Sequence, residues 1–117
     1  MISNRAAGYL WDAQRAAECI ADFTAGRGFD DYLADVMLRS AVERQFEIIG
    51  EALVGLRRIA PDLAATIPDL ARIIGFRNVL IHGYSTINNR VVWDVIQDDL
   101  PRLRDAVTDL LRSAPSP

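Results

Sequence analysis

Lysine is absent from this 117-residue sequence, and all 13 basic residues are arginine. Every cation is therefore a planar fork able to grip phosphate or carboxylate through two bonds. Positive charge is not in excess, since the formal net charge is −3; that excludes a generic nucleic-acid coat. Cysteine occurs once, at Cys19, so there is no disulfide framework and no zinc-type spacing. No basic residue nearby would activate that thiol, which reads as a small packed side chain. Histidine also occurs once, at His82. No carboxylate cluster accompanies it, and neither a metal site nor two-metal hydrolysis is expected. No apolar run approaches the ~18 residues that span a bilayer. The start, Met1 to Arg5, leads into an Ala-rich amphipathic stretch rather than a signal sequence. The expectation is a cytoplasmic chain with no membrane partner. Strand-like alternation, internal repeats and a Gly-rich phosphate loop are missing as well.

What remains is helical. Half the residues are hydrophobic and a quarter charged, which suits one folded domain, placed at 1–112, with a loose tail at 113–117. A first helix is expected from Met1 or Ser3 to Ala25, with Leu10, Ala13, Ala17 and Ile20 on one stripe and Gly26 as the stop. A second, the longest, should run from a cap at Asp30 or Asp31 to Ala60, just before Pro61. Pro61 to Pro68 is a connection with room for one short helical turn. A third helix is expected from Asp69 to His82, with Pro68 at its first position and Gly83 ending it. Leu70, Ile73, Ile74, Phe76, Val79, Leu80 and Ile81 point nearly all round its axis, which predicts burial on most sides. Ser85 to Asn89 is a polar loop, and Asn88 or Asn89 can cap a fourth helix beginning near Arg90. Pro101 should kink or split that helix, with Asp98 or Asp99 capping the second piece. Trp93 reads as a packing anchor. The fold class is all-α, an up-and-down four-helix bundle.

Two polar features interrupt this pattern. On the second helix Ser40, Arg44, Glu47 and Glu51 form a line at steps of four, three and four. The like-charged Glu47 and Glu51 repel by roughly 0.2–0.5 kcal/mol when exposed, and a nearby cation would relieve that. The line faces either solvent, Arg77 or a partner subunit. Gly50 beside it weakens the helix by about 1 kcal/mol relative to alanine, so close approach of another backbone is a reason for it.

The second feature is the stretch Gly75-Phe76-Arg77-Asn78-Val79-Leu80-Ile81-His82-Gly83-Tyr84. An imidazole with an ordinary pKa of ~6.5 suits proton transfer near neutrality, and a guanidinium can balance charge on a phosphodiester. Together they suit metal-free cleavage of RNA, in which the 2′-hydroxyl attacks the adjacent phosphorus; DNA lacks that hydroxyl. Five residues place Arg77 and His82 about 140° apart on an ideal helix. They converge only if the helix end relaxes at Gly83, or if two copies present their motifs to one cleft. A C2 homodimer is the natural form of the second option. From spacing alone, a hydrogen-bonded core histidine in a purely structural dimer stands as the other reading.

The pattern Arg77, four residues, His82, one residue, Tyr84, with polar Asn78 after the arginine, resembles the motif of the HepT-like toxins within the HEPN superfamily of helical ribonucleases. "SAVERQFEIIGEAL" resembles the second helix of that family, and "IPDLARIIGFRNVLIHGYSTINNRVVWDVIQDDLPRL" its third and fourth. The likeness covers roughly residues 1–112. It implies the toxin of a type VII-like toxin–antitoxin pair: a homodimeric endoribonuclease that needs no cofactor and cleaves mRNA or tRNA through Arg77 and His82. The implied partner is a MntA-like nucleotidyltransferase antitoxin that transfers AMP to Tyr84, placing anionic bulk beside the cleft. Asn78, Glu47, Glu51 and Arg44 are the supporting residues, with Arg90 a further candidate for RNA. The alternative is a non-catalytic helical subunit that helps a nucleotidyltransferase bind its substrate, a reading that the acidic net charge favours.

Overall fold

The computed structural model describes residues 2–83 and 87–114, and within them every regular element is helical. Part of the expected Ser85–Asn89 loop, the motif residue Tyr84 and the last three residues of the tail lie outside the described residues. Helix α1 spans Asn4–Thr24, opened by the Ser3 hydroxyl, which accepts the Ala6 N–H at 3.1 Å. Its buried face is rich in alanine (Ala6, Ala7, Ala13, Ala16, Ala17) around Leu10 and Ile20, and such small side chains admit close neighbours.

The expected long second helix is two helices. Short α2, Phe29–Ala34, is followed by α3, Val36–Ile59, and Asp35 between them is extended at φ −115°, ψ 98°. Two carboxylates make the break. Asp31 accepts the Gly28 N–H at 2.8 Å at the start of α2, and Asp35 accepts the Leu38 N–H at 3.0 Å at the start of α3. The turn lets Tyr32 become fully buried against Trp93, ring centroids 5.5 Å apart, with Phe29 on the same indole at 6.4 Å. Trp93 is 7% exposed and is a core residue.

A four-residue helix α4, Pro61–Ala64, fills the connection. Helix α5, Leu70–His82, carries the motif. Pro68 does not open it. Asp69 precedes its first turn in the left-handed region at φ 59°, and its carboxylate caps no amide. That carboxylate instead meets Arg102 at 2.5 Å. Gly83 closes α5, donating its N–H to the Val79 carbonyl at 2.8 Å.

The last helical rod consists of α6 (Asn89–Asp94), one π-helical turn (Val95–Asp99) and α7 (Leu100–Leu111). Asn88 caps it as expected, accepting the Arg90 and Val91 N–H groups at 2.9 and 3.2 Å. Pro101 neither splits the rod nor leaves Asp98 or Asp99 as a cap; Asp94, Val95, Asp99 and Leu100 keep right-handed helical dihedrals. The wider π turn accommodates a residue that cannot donate a backbone hydrogen bond. It also turns Asp99 inward. At 3% exposure, Asp99 sits 3.3 Å from Arg72 of α5 and 3.4 Å from Arg102 of α7. Asp69, Arg102, Asp99 and Arg72 thus form an alternating chain of charges that ties the beginning of α5 to the last rod.

Helix α3 packs against α1 and α5, while α7 packs against α1 and α2 bridges α3 and α6. Helices α1 and α3 run antiparallel, because Tyr9 near the start of α1 meets Gly55 and Arg58 near the end of α3. Burial of α5 on most sides does not hold within one chain. Only Ile73, Ile74 and Leu80 of that helix are buried, and Val79 is 52% exposed, because α3 is its principal neighbour. Among the described residues no helix is long and apolar enough to cross a membrane.

Candidate active site on α5

Arg77 leaves α5 toward α3, directly over Gly50. A Cβ on Gly50 would lie 2.2 Å from Arg77 Cβ and 2.3 Å from its Cγ. The close approach expected at Gly50 is therefore real, but it is the stem of Arg77 that fills the space rather than a backbone. One turn away Phe76 meets Phe46 edge to face, ring centroids 5.1 Å apart. These two contacts set the distance and rotation of α5 on α3, and with them the direction of the guanidinium.

The Arg77 side chain is 25% exposed, and its charged end is held lightly. Nη1 donates to Asn78 Oδ1 at 2.9 Å, and Nη2 lies 3.9 Å from Glu51 Oε1. Nε is buried without a partner. A pair at 3.9 Å with a half-exposed carboxylate contributes little to stability; it orients the fork without consuming its hydrogen-bonding capacity. Within the polar line, Glu51 is the glutamate that reaches Arg77. Glu47 is half-buried without an ion pair to it, and Ser40 and Arg44 are exposed. Arg90 is engaged elsewhere, paired with Asp94 at 3.4 Å and stacked 4.8 Å over the Phe29 ring.

His82 ends α5 with its side chain exposed and makes no hydrogen bond or ion pair among the described residues. Within a single chain it is not a satisfied core histidine. Nor does it hydrogen-bond with Arg77; one is pinned to α3 and the other points away, as the helical angle requires. The geometry of one chain thus offers an anion-binding fork and a free imidazole on different sides of one helix. A family model described as Ribonuclease HepT-like matches residues 13–110 of this chain, the whole of α5 included.

This chain belongs to the HepT-like ribonuclease family.

Its relatives agree. It is 38% identical to "Probable ribonuclease HepT" of Thermococcus cleftensis, over 82% of this chain and 86% of that protein. It is 32% identical to "Putative RNase MJ1380" of Methanocaldococcus jannaschii, over 85% and 90% of the two chains. It is also 32% identical to "Putative RNase TTE0752" of Caldanaerobacter subterraneus, over 89% and 92%. No solved structure matches this chain. Membership in this family gives the paired Arg77 and His82 a chemical context that spacing alone does not.

Reading the sequence for motifs passed over Glu43. It lies one turn before Glu47 on the same side of α3 as the polar line, half-buried, with no ion pair or hydrogen bond among the described residues. Burial pushes its carboxyl above the ordinary glutamate range; Arg39 pulls it down and Glu47 pushes it further up. Burial also pushes the neighbouring Tyr32 hydroxyl up. The folded-state pKa of Glu43 thus exceeds its unfolded value. Its ionised form opposes folding at neutral pH, and that opposition disappears once the pH is below about 4.3, where the unfolded chain is protonated too. Glu43→Gln should therefore raise the thermal midpoint at pH 7, and its advantage over the unmodified chain should fade toward pH 4. Melting curves at the two pH values check this; an equal advantage at both would contradict it.

Proposed function

We propose that this HepT-like ribonuclease is a metal-independent endoribonuclease, the toxin of a type VII-like toxin–antitoxin pair, whose working form is a homodimer of up-and-down four-helix bundles. The observation that carries this reading is the division of labour on α5. Arg77 is fixed on α3 with its fork only lightly engaged, and His82 is exposed and uncommitted. In the reaction, the imidazole takes the proton of an RNA 2′-hydroxyl. The freed oxygen bonds to the adjacent phosphorus as the bond from phosphorus to the 5′-oxygen breaks. The leaving oxygen recovers a proton, and the products are a 2′,3′-cyclic phosphate and a 5′-hydroxyl. The second copy supplies a second imidazole, so base and acid are separate groups. Arg77 balances charge on the non-bridging oxygens. The substrate is RNA, with mRNA and tRNA both within this chemistry.

Support for the dimer comes from the apolar surface left on α5 and α6. Val79 and Val91 are 52% and 47% exposed, and with Phe76, Leu80, Ile87 and Val92 they border a cavity of about 200 Å³. Exposed apolar surface beside a motif suits association. Gly75 bears on the same question. A Cβ there meets nothing within 4 Å in one chain, so alanine favours the isolated fold by roughly 1 kcal/mol through helix propensity. If Gly75 faces the second copy, Gly75→Ala should instead weaken the dimer about tenfold by overpacking, a change that analytical ultracentrifugation reads. An unchanged dimer would place Gly75 outside the interface.

Regulation follows as AMP transfer to Tyr84 by a MntA-like nucleotidyltransferase. Tyr84 lies outside the described residues, and support for this part is the motif itself. The decisive experiment for the activity is incubation of structured RNA and an all-deoxy analogue with the protein in excess chelator. Cleavage of the RNA alone is expected. Equal cleavage of both, or dependence on added metal, would sink the mechanism. The net charge of −3 favours a second reading, a non-catalytic partner that binds substrate for a nucleotidyltransferase. That reading requires a stable complex with the transferase and no cleavage by the free protein.

A further inference from the structure

Between the beginning of α3 and the beginning of α6 lies a cavity of about 280 Å³ that none of the described motif residues lines. Its walls are Val36, Arg39, Ser40, Glu43, Ile87 and Asn89. Ile87 also borders the cavity lined by Phe76, Val79 and Leu80 of α5, so this cavity adjoins the motif helix. Along α3, Glu43 is eight residues from the Glu51 that meets Arg77, about 12 Å at the helical rise. That is a step or two along an extended single strand.

Two features of the cavity have no role in the fold. Val36 is 64% exposed at its rim although it is a β-branched apolar residue. Glu43 is half-buried with no hydrogen bond or close ion pair among the described residues. The nearest cation does not satisfy it, because Arg39 directs Nη1 to the backbone carbonyls of Leu33 and Tyr32. Behind the cavity wall the Tyr32 hydroxyl is completely buried and unpaired. Partly buried polar groups without partners oppose folding, and their persistence in a concave site marks binding.

We propose that this cavity is a nucleobase pocket that selects guanine beside the cleaved phosphate, with the Glu43 carboxylate reading the base edge. This rests on the ribonuclease reading of Arg77 and His82. An ionised carboxylate only accepts hydrogen bonds, through two oxygens. On its Watson–Crick edge guanine presents two adjacent donors, N1–H and the N2 amino group. Adenine and cytosine set an acceptor beside their amino group, and uracil flanks its one N–H with carbonyls. Guanine alone satisfies both oxygens, and the edges of unstacked bases are where single-stranded RNA is read. Val36 and Ile87 offer apolar surface to the faces of the base. Asn89 and Ser40 supply donors for its carbonyl oxygen.

The test maps cut sites on random-sequence RNA with the full chain and with Glu43→Gln, a variant expected to be the more stable of the two at neutral pH. Guanine should be enriched at one fixed position from the cut. On matched oligonucleotides it should be favoured about tenfold to a hundredfold in kcat/KM, the range of a bidentate base contact. Glu43→Gln should erase most of that preference, bringing kcat/KM on guanine substrates down toward that on guanine-free ones. Cleavage without base preference, or a preference that survives Glu43→Gln, overturns the proposal and leaves the ribonuclease reading standing. If no RNA is cut, calorimetry with guanosine 3′-monophosphate and its adenosine counterpart decides. Guanosine-selective binding that is lost in Glu43→Gln supports the pocket while sinking the ribonuclease reading. Equal or absent binding of the two overturns the pocket too.

Discussion

Replacing His82 with alanine is expected to slow RNA cleavage by about 10²- to 10⁴-fold, the usual worth of a positioned proton-transfer group. Because the His82 side chain is exposed and bonded to nothing among the described residues, its loss should leave the melting temperature unchanged. A large effect on rate with none on stability separates catalysis from a structural role. Arg77→Ala should slow cleavage by about 10²- to 10³-fold, and Arg77→Lys should not restore the rate, since a point charge lacks the fork. The two variants together also test where the site is assembled. If Arg77 of one copy works with His82 of the other and that single imidazole suffices, mixing inactive Arg77→Ala with inactive His82→Ala builds one working site per mixed dimer. Random exchange then restores about a quarter of full activity. A mixture as inactive as its components would mean that each cut needs both imidazoles of the dimer or that Arg77 and His82 act within one copy. Full activity in either single variant would eliminate the mechanism.

Gly50→Ala should be a strongly damaging single-methyl change. Helix propensity favours it by about 1 kcal/mol. Against that, the new Cβ would sit 2.2 Å from Arg77 Cβ and 2.3 Å from Cγ, atoms close to the backbone of α5 that no rotation about the outer side-chain bonds can move away. Helices α3 and α5 must separate, and overpacking of this kind typically destabilises by about 1–3 kcal/mol. The steric term wins. Activity should suffer more than stability, because the displaced group is the arginine proposed to meet the phosphate, and a misplacement of about 1 Å can cost a reaction 10²-fold. Gly8→Ala is the control, since its Cβ would meet nothing within 4 Å. Gly50→Ala with the melting temperature and turnover of the unmodified protein would show that α5 does not rest on this contact.

The helix boundaries that were legible in the sequence are those made by neighbours in the chain. Ser3 and Asn88 cap the helices they precede, Pro61 follows the end of α3, and Gly83 ends α5. Each depends on residues within a turn, so local chemistry suffices. The interruption at Asp35 was misread because apolar periodicity runs through it; only burial of Tyr32 against Trp93 makes the break favourable. The role of Asp99 was misread for a similar reason. A cap and a buried ion-pair partner look alike until Arg72 and Arg102 are brought to it. Glu43 went unnoticed because nothing adjacent in sequence shows that its surroundings are half-buried and without a partner.

The sequence by itself determined that this is an all-helical chain whose Arg77 and His82, about 140° apart on one helix, do not share a side. That follows from helical geometry, which needs no knowledge of what lies across from it. The tertiary structure alone decided which of them is held and which is free. Gly50 is vacant of side chain where Arg77 passes, and Glu51 stands at the end of the guanidinium. Among the described residues nothing bonds to the exposed His82 side chain. Those relations join residues 26 or more positions apart in the chain, and only the packing of α5 on α3 creates them.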